Sequence, residues 1–136
     1  MSRSSVWLTL AMLGCHAPTV VQDTPLPVPG SRELRIGEVV PLDDTPYILR
    51  LVEVEGDSRC PVEALCVWAG EVRLQAVLAA RPGMGLPDRV LQFTSQRPIV
   101  ADGIEFRIAE VTPVAHAGRT IAQGDYRLTI ATRPAP

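Results

Sequence analysis

The segment Glu71-Val-Arg-Leu-Gln-Ala-Val-Leu78 predicts a β-strand fold, because apolar and polar side chains alternate in it with a period of two. Successive side chains of a β-strand point to opposite faces of the sheet, so one face of this segment is predicted to pack on a core. The side chains expected to face inward are Val72, Leu74, Ala76 and Leu78. Those expected to face outward are Glu71, Arg73 and Gln75.

The same alternation recurs on both sides of this segment, with turn signals between the repeats. Further strands are predicted at Leu34 to Val40, Tyr47 to Leu51, Leu91 to Phe93, Ile104 to Ile108 and Tyr126 to Ile130. The turns are Pro41-Leu-Asp-Asp, Arg81-Pro-Gly-Met-Gly, Asp102-Gly103 and Gly124-Asp125. Six to seven short strands without a helical pattern predict an all-β domain over residues 32–133. We expect a small antiparallel, Ig-like β-sandwich, with a small barrel as the alternative.

Two of these segments share a local pattern, Tyr47-Ile-Leu-Arg-Leu-Val-Glu-Val and Ile104-Glu-Phe-Arg-Ile-Ala-Glu-Val. In both, the apolar alternation slips by one position before the final Glu-Val. A β-bulge has this effect on a strand that must bend. We therefore predict a bulge in each strand.

The composition limits the functions open to the chain. Its 136 residues, 46% of them hydrophobic, suit one domain with one core, and 13 Pro and 10 Gly favour short segments joined by turns. A formal net charge of -2 gives no basic surface for phosphate backbones. Nucleic acid is therefore excluded as an expected partner.

The N-terminus has the outline of a secretion signal at residues 1–14. Arg3 precedes an apolar run from Val6 to Leu13, which is far shorter than the ~20 residues that span a bilayer. Leu13-Gly14-Cys15 resembles a bacterial lipobox, which implies cleavage before Cys15 and lipidation of its thiol. An ordinary secretory signal cut nearby, or a buried N-terminal strand, are the alternatives.

Residues 15–31 are predicted to link the lipidated cysteine to the domain. This stretch is rich in proline and has no apolar periodicity, which is typical of an extended tether. We therefore expect the protein to bind a membrane through the lipid on its N-terminal cysteine. Since His16 rather than Asp follows the cysteine, the sorting rule of enteric bacteria predicts an outer-membrane lipoprotein of the cell envelope, exposed to the periplasm or the surface.

Export also suggests how the remaining cysteines are used. With Cys15 lipidated, Cys60 and Cys66 form a pair, and a disulfide is the default state outside the cytoplasm. Two thiols without a His or a second Cys pair do not complete a tetrahedral metal shell. Their spacing also differs from the C-x-x-C redox motif. We therefore predict a structural disulfide, no metal and no cofactor.

The cysteines lie within the most specific motif of the chain, Asp57-Ser-Arg-Cys-Pro61, four further residues, then Cys66-Val-Trp-Ala-Gly70. This motif resembles an uncharacterised family of small bacterial secreted proteins and lipoproteins with a D-S-R-C-P-x4-C-x-W-A-G core. The resemblance covers Val39 to Leu78. It implies a β-rich domain and an extracytoplasmic location, and it assigns no catalytic residue.

The motif has an architectural interpretation and a functional one. Trp68 shares strand parity with Val72 and Leu74, so we expect its ring to be buried across the disulfide, with Gly70 allowing a close approach of the next strand. The alternative is a constrained loop that presents side chains to a partner. The candidate binding residues are then Asp57, Arg59, Val62, Glu63, Leu65 and Trp68.

Catalysis is not predicted, because no nucleophile is paired with a base in any recognisable motif and His116 is the single histidine of the predicted domain. The leading hypothesis is a non-catalytic structural or interaction role in the envelope, with an envelope protein as the partner. A loop-presenting binder such as a protease inhibitor is the second hypothesis, and a small hydrolase the third. An exposed loop at residues 61–65 favours a binder, whereas a cleft joining His116 to carboxylates favours the hydrolase.

Overall fold

The domain is a sandwich of two four-stranded antiparallel sheets, as seen in a computed structural model that describes residues 30–136. Within that range there are eight strands and one turn of 3-10 helix (Gln123–Asp125). The strands are β1 (Ser31–Arg35), β2 (Val39–Pro41), β3 (Tyr47–Asp57), β4 (Val72–Ala80), β5 (Arg89–Thr94), β6 (Ile99–Ala101), β7 (Ile104–Thr112) and β8 (Arg127–Pro134). β1 begins one residue before the predicted domain, and β8 ends one residue after it.

The predicted antiparallel sandwich is confirmed, but the connections between its strands are simpler than expected. One sheet has the order β1-β8-β7-β6 and the other the order β2-β3-β4-β5. Apart from β1, strands that are neighbours in the sheet are neighbours in the chain. The connections are therefore those of a meander, and the Greek key of Ig-like domains is not observed. The connection between β3 and β4, residues 58–71, is here called the disulfide loop.

The first predicted strand is in fact two strands in different sheets. The chain leaves β1 after Arg35 and turns at Gly37, whose φ of +85° lies in the left-handed region. It then enters β2, where Val39 is exposed and Val40 half-buried. The short strand β6 was not predicted, because three residues are too few to show an alternation.

The core consists of the predicted inward faces of both sheets. Val72, Leu74, Ala76 and Leu78 are fully buried, which confirms the interpretation of residues 71–78. The other predicted inward residues that are buried are Leu34, Tyr47, Leu49, Leu51, Leu91, Phe93, Ile104, Phe106, Ile108, Tyr126, Leu128 and Ile130. Alternation alone therefore identified most of the interface between the sheets.

Both predicted bulges are present, at the same position of the shared pattern. The β3–β4 register shifts between Leu51 and Glu53, and the β7–β8 register shifts between Ile108 and Glu110. In each strand, the residue before the Glu-Val pair is left out of the ladder. Each bulge moves the following residue to the other face of its sheet, as the sequence pattern indicated.

Gly30 lies at one end of the sandwich. In the antiparallel pair β1–β8, Ser31 is opposite Ala131 and Arg35 is opposite Arg127. The chain thus enters β1 beside the C-terminal part of β8 and reaches the start of β8 at Arg35. We call the end where the chain enters the Gly30 end.

The disulfide loop lies at the opposite end. β7 finishes with Thr112 opposite Arg127, so residues 113–126 connect β7 to β8 at the end away from Gly30. The backbone N–H of Val62 donates to the carbonyl of Ala115 (3.0 Å), which places the disulfide loop against this connection. We call this the loop end.

Candidate functional site

A short ladder of backbone hydrogen bonds continues the β3–β4 pairing into the disulfide loop. The N–H of Ser58 donates to the carbonyl of Glu71 (2.9 Å), and that of Cys60 donates to the carbonyl of Ala69 (3.3 Å). Beyond this stem, the predicted disulfide joins Cys60 to Cys66, with their Cα atoms 5.8 Å apart. The loop is therefore held both by its stem and by a covalent closure at its tip.

Asp57 and Arg59 form a hydrogen-bonded network at the base of the loop. The Asp57 carboxylate accepts from the Arg59 backbone N–H (3.1 Å) and from its guanidinium at Nε (2.9 Å) and Nη2 (2.7 Å). The guanidinium also donates to the carbonyls of Val111 and Pro113, both at 2.9 Å. The Tyr126 hydroxyl completes the network by donating to Asp57 (3.0 Å). The network thereby ties the end of β3 to the ends of β7 and β8.

The network changes the ionisation of two of its members. Burial by itself raises the pKa of the Asp57 carboxyl, but the hydrogen bonds from Arg59 and Tyr126 outweigh it and hold that pKa below its usual value. Burial and the hydrogen bond to Asp57 raise the pKa of the Tyr126 hydroxyl to about 12. At neutral pH the network therefore holds a carboxylate and an uncharged phenol.

Gly70 allows the two sides of the stem to approach, as the motif suggested. Its φ is +67°, and a Cβ built at this position meets the backbone oxygen of Ser58 at 1.8 Å. Atoms cannot approach so closely, and the obstacle is backbone rather than a side chain that is free to move. The close approach of the two sides of the stem therefore requires glycine at this position.

The tip of the loop rests on the 113–126 connection through Glu63. One oxygen of its carboxylate contacts Nδ1 of His116, and the other accepts from the backbone N–H of Ala117 (3.1 Å). These hydrogen bonds lower the pKa of Glu63. Together with the Val62–Ala115 hydrogen bond, they fix the loop against a segment more than fifty residues further along the chain.

Four apolar side chains of the loop point into solvent. Leu65 is fully exposed and Trp68 is 82% exposed, while Val62 and Val67 are also exposed. We call these four residues the apolar cluster. The prediction that Trp68 is buried is therefore wrong. Its parity argument assumed an extended chain up to Val72, but the left-handed Gly70 interrupts the strand, and β4 begins only at Val72.

The six candidate binding residues fall into two groups. Asp57 and Arg59 are largely covered, with side chains 14% and 17% exposed, and they support the loop. Val62, Glu63, Leu65 and Trp68 lie at its surface. The sequence analysis missed Val67 of the apolar cluster and His116 as the partner of Glu63. No local sequence pattern signals that Val67 is exposed, and a contact over 53 positions leaves no local signal either.

A cleft of about 340 Å³ beside the loop is lined by both His116 and Asp57, so it joins the histidine to a carboxylate. The Asp57 carboxylate is engaged by Arg59 and Tyr126, and the contact of the His116 ring is with Glu63. A phenol with a pKa of about 12 is a weak proton donor at neutral pH. Asp57, Tyr126 and His116 are therefore each already hydrogen-bonded to another residue of the protein.

Residues 30–136 contain neither a metal-binding cluster of side chains nor a membrane-spanning helix. No group of three or more His, Cys, Asp or Glu side chains in this range is placed to hold a metal ion. None of the helices found there has the length and hydropathy to cross a bilayer. The predicted signal peptide, Cys15 and the tether up to residue 29 lie outside the described residues.

No family model, curated protein or solved structure matched the chain. The function of the domain is therefore inferred from its geometry and its sequence.

The disulfide is expected to stabilise the domain without determining its fold. Replacing both Cys60 and Cys66 by Ser should lower the free energy of unfolding by about 2 kcal/mol, because a short loop gains limited entropy in the unfolded chain. Urea titration of both proteins measures the difference. The circular dichroism of the folded variant should remain that of a β-protein, and an unfolded variant would contradict this view of the disulfide.

Proposed function

We propose that this protein is a bacterial lipoprotein, anchored to the cell envelope through Cys15, whose sandwich domain has a non-catalytic interaction role there. The apolar run and Leu13-Gly14-Cys15 support the anchor, and the disulfide supports an oxidising compartment. The resemblance of the D-S-R-C-P and C-x-W-A-G segments to secreted bacterial proteins supports the same location.

The observation that carries the interaction role is the apolar cluster on a doubly closed loop. Exposed Trp and Leu side chains are costly to keep in water, and buried aromatic anchors dominate the energy of many protein interfaces. The disulfide and the Glu63 contacts already order the loop, so less conformational entropy is lost on binding. An envelope protein with an apolar pocket is the partner that this surface suits.

Trp68→Ala separates a binding surface from a structural one. Since Trp68 is exposed, we expect the melting temperature to change by less than about 2 °C, as surface substitutions cost little. Binding to the partner should weaken at least tenfold, as loss of an aromatic anchor does. A photo-crosslinking amino acid at Leu65 in intact envelopes identifies the partner, and calorimetry with that purified partner measures the loss.

Val100→Ala is the matched control, because Val100 is an exposed apolar residue of β6, outside the apolar cluster. It should leave both the melting temperature and the binding unchanged. A large fall in melting temperature for Trp68→Ala, or equal binding by both variants, would contradict the interaction role.

Lipidation is tested separately. We expect the membrane fraction to contain a chain that begins at an acylated Cys15, detectable by mass spectrometry. Cys15→Ser should release the protein from membranes or leave the signal uncleaved. A mature, soluble protein with an unmodified cysteine would contradict the anchor while leaving the apolar cluster unaffected.

Protease inhibition is a second candidate function, and the full exposure of Leu65 within the disulfide ring favours it. An apolar side chain on a rigid loop fits the specificity pocket of a protease that prefers Leu. If the protein crosslinked at Leu65 is a protease, inhibition of its activity by the wild-type domain and not by Leu65→Ala distinguishes this function from other binding.

A further inference from the structure

The Gly30 end of the sandwich opens into an apolar cavity of about 460 Å³ between the two sheets. Leu34 and Ile130 line it from one sheet, Leu49 lines it from the other, and Leu42 lines it from the turn between β2 and β3. Each of these four residues belongs to the buried core. These core residues form the floor of the cavity, which lies at the opposite end of the domain from the apolar cluster.

The polar groups at the mouth of the cavity are nearly all engaged. Asp43 pairs with Arg32 (2.6 Å), and Asp102 pairs with Arg89 (3.4 Å). The hydroxyl of Thr132 contacts the carbonyl of Gly30 at 3.2 Å. These pairs leave the mouth close to neutral in charge.

Asp44 is the exception. It lines the cavity, and within the described part of the chain its carboxylate has no hydrogen-bond or ion-pair partner. Its φ of +56° lies in the left-handed region, which Asp adopts more readily than most residues other than glycine. Among the described residues, the mouth of this apolar cavity thus carries one unpaired negative charge, that of Asp44.

We propose that this cavity binds a single aliphatic chain whose polar end is cationic and contacts Asp44, as in a long-chain amine. The volume lies in the range of small-molecule sites. A water molecule takes about 30 Å³ and a methylene group is similar in size, so the space accommodates a chain of roughly 10 to 15 carbons. This is too small for a phospholipid with two such chains. The proposal is independent of the interaction role of the apolar cluster.

Calorimetry of the full-length protein with three 12-carbon probes tests the proposal, each kept below its micelle concentration. Dodecylamine should bind at least tenfold more tightly than dodecanoate, because the carboxylate is repelled by Asp44, and dodecanol should fall between them. Asp44→Asn should remove the difference between amine and carboxylate. Asp125→Asn, which changes an exposed acid at the loop end, should preserve it.

Two more variants locate the bound chain. Val40 is half-buried and lines the cavity, so Val40→Phe should fill part of it and weaken dodecylamine at least tenfold while the melting temperature is retained. Trp68→Ala should bind dodecylamine like the wild type. Failure of the wild type to bind any probe, equal affinity for amine and carboxylate, or loss of binding in Trp68→Ala would each overturn the proposal.

Discussion

Gly70→Ala is expected to lower the free energy of unfolding by about 4 kcal/mol, a loss typical of the most damaging single substitutions. Two costs combine at this position. The left-handed φ of +67° by itself costs an L-residue about 1 to 2 kcal/mol. The added methyl group would also lie 1.8 Å from the backbone oxygen of Ser58, so the two sides of the stem must separate.

Gly85→Ala provides the matched control. Gly85 has nearly the same φ, +64°, but no atom lies within 4 Å of a Cβ built there. This variant should lose about 1 to 2 kcal/mol, the conformational cost alone. Chemical denaturation of both variants beside the wild type measures the difference between them. Equal losses would show that the close approach at Ser58 contributes nothing to stability.

Asp57→Ala is expected to cost about 3 kcal/mol, because it leaves a largely covered guanidinium and a buried phenol without their acceptor. Arg59 is 17% exposed and also holds two carbonyls at the end of β7, so its displacement loosens that end of the sandwich. The control is Asp43→Ala, which removes the exposed ion pair with Arg32. An exposed pair contributes about 1 kcal/mol or less.

The same network predicts how stability depends on pH. The pKa of Asp57 is lower in the folded state, so its contribution is complete above the unfolded value of about 4 and is lost as pH falls through the folded pKa. The pKa of Tyr126 is raised to about 12. Its contribution is complete below the unfolded value of about 10 and is lost as pH rises through 12. Tyr126→Phe should remove the alkaline loss, and an unchanged alkaline profile in that variant would contradict this assignment.

The fold was predictable where the relevant physics is local. Alternation with period two depends only on the geometry of a strand, so the inward face of β4 followed directly from its sequence. The bulges in β3 and β7 were visible for the same reason, since each inserts one residue into that alternation. The disulfide followed from compartment and cysteine number rather than from geometry.

The errors arose where one residue changes the direction of the chain. Gly37 divides the predicted first strand between the two sheets, and Gly70 places Trp68 in solvent although its parity indicated the core. A glycine can adopt either sign of φ, and the sequence does not show which. A strand pattern is therefore not reliable across a glycine.

Most residues of the candidate site were predictable from the sequence, but their contacts were not. The Asp57–Arg59 ion pair joins residues only two positions apart, both within the motif that the sequence singles out. The contacts of Glu63 with His116 and of Tyr126 with Asp57 span 53 and 69 positions. Such contacts depend on the order of strands in the sheets, which alternation does not encode.

Gly30 and the disulfide loop lie at opposite ends of the sandwich, so a force applied between them acts along the strands. In a chain anchored before Gly30 and bound through the loop, tension between membrane and partner runs parallel to the strands. The hydrogen bonds from β1 to β8 lie across this pull and are loaded together in shear, so none of them yields before the others. The Cys60–Cys66 disulfide prevents the disulfide loop, through which the partner is bound, from extending under this tension. Pulled in this direction, the sandwich behaves as a stiff link between its two attachments.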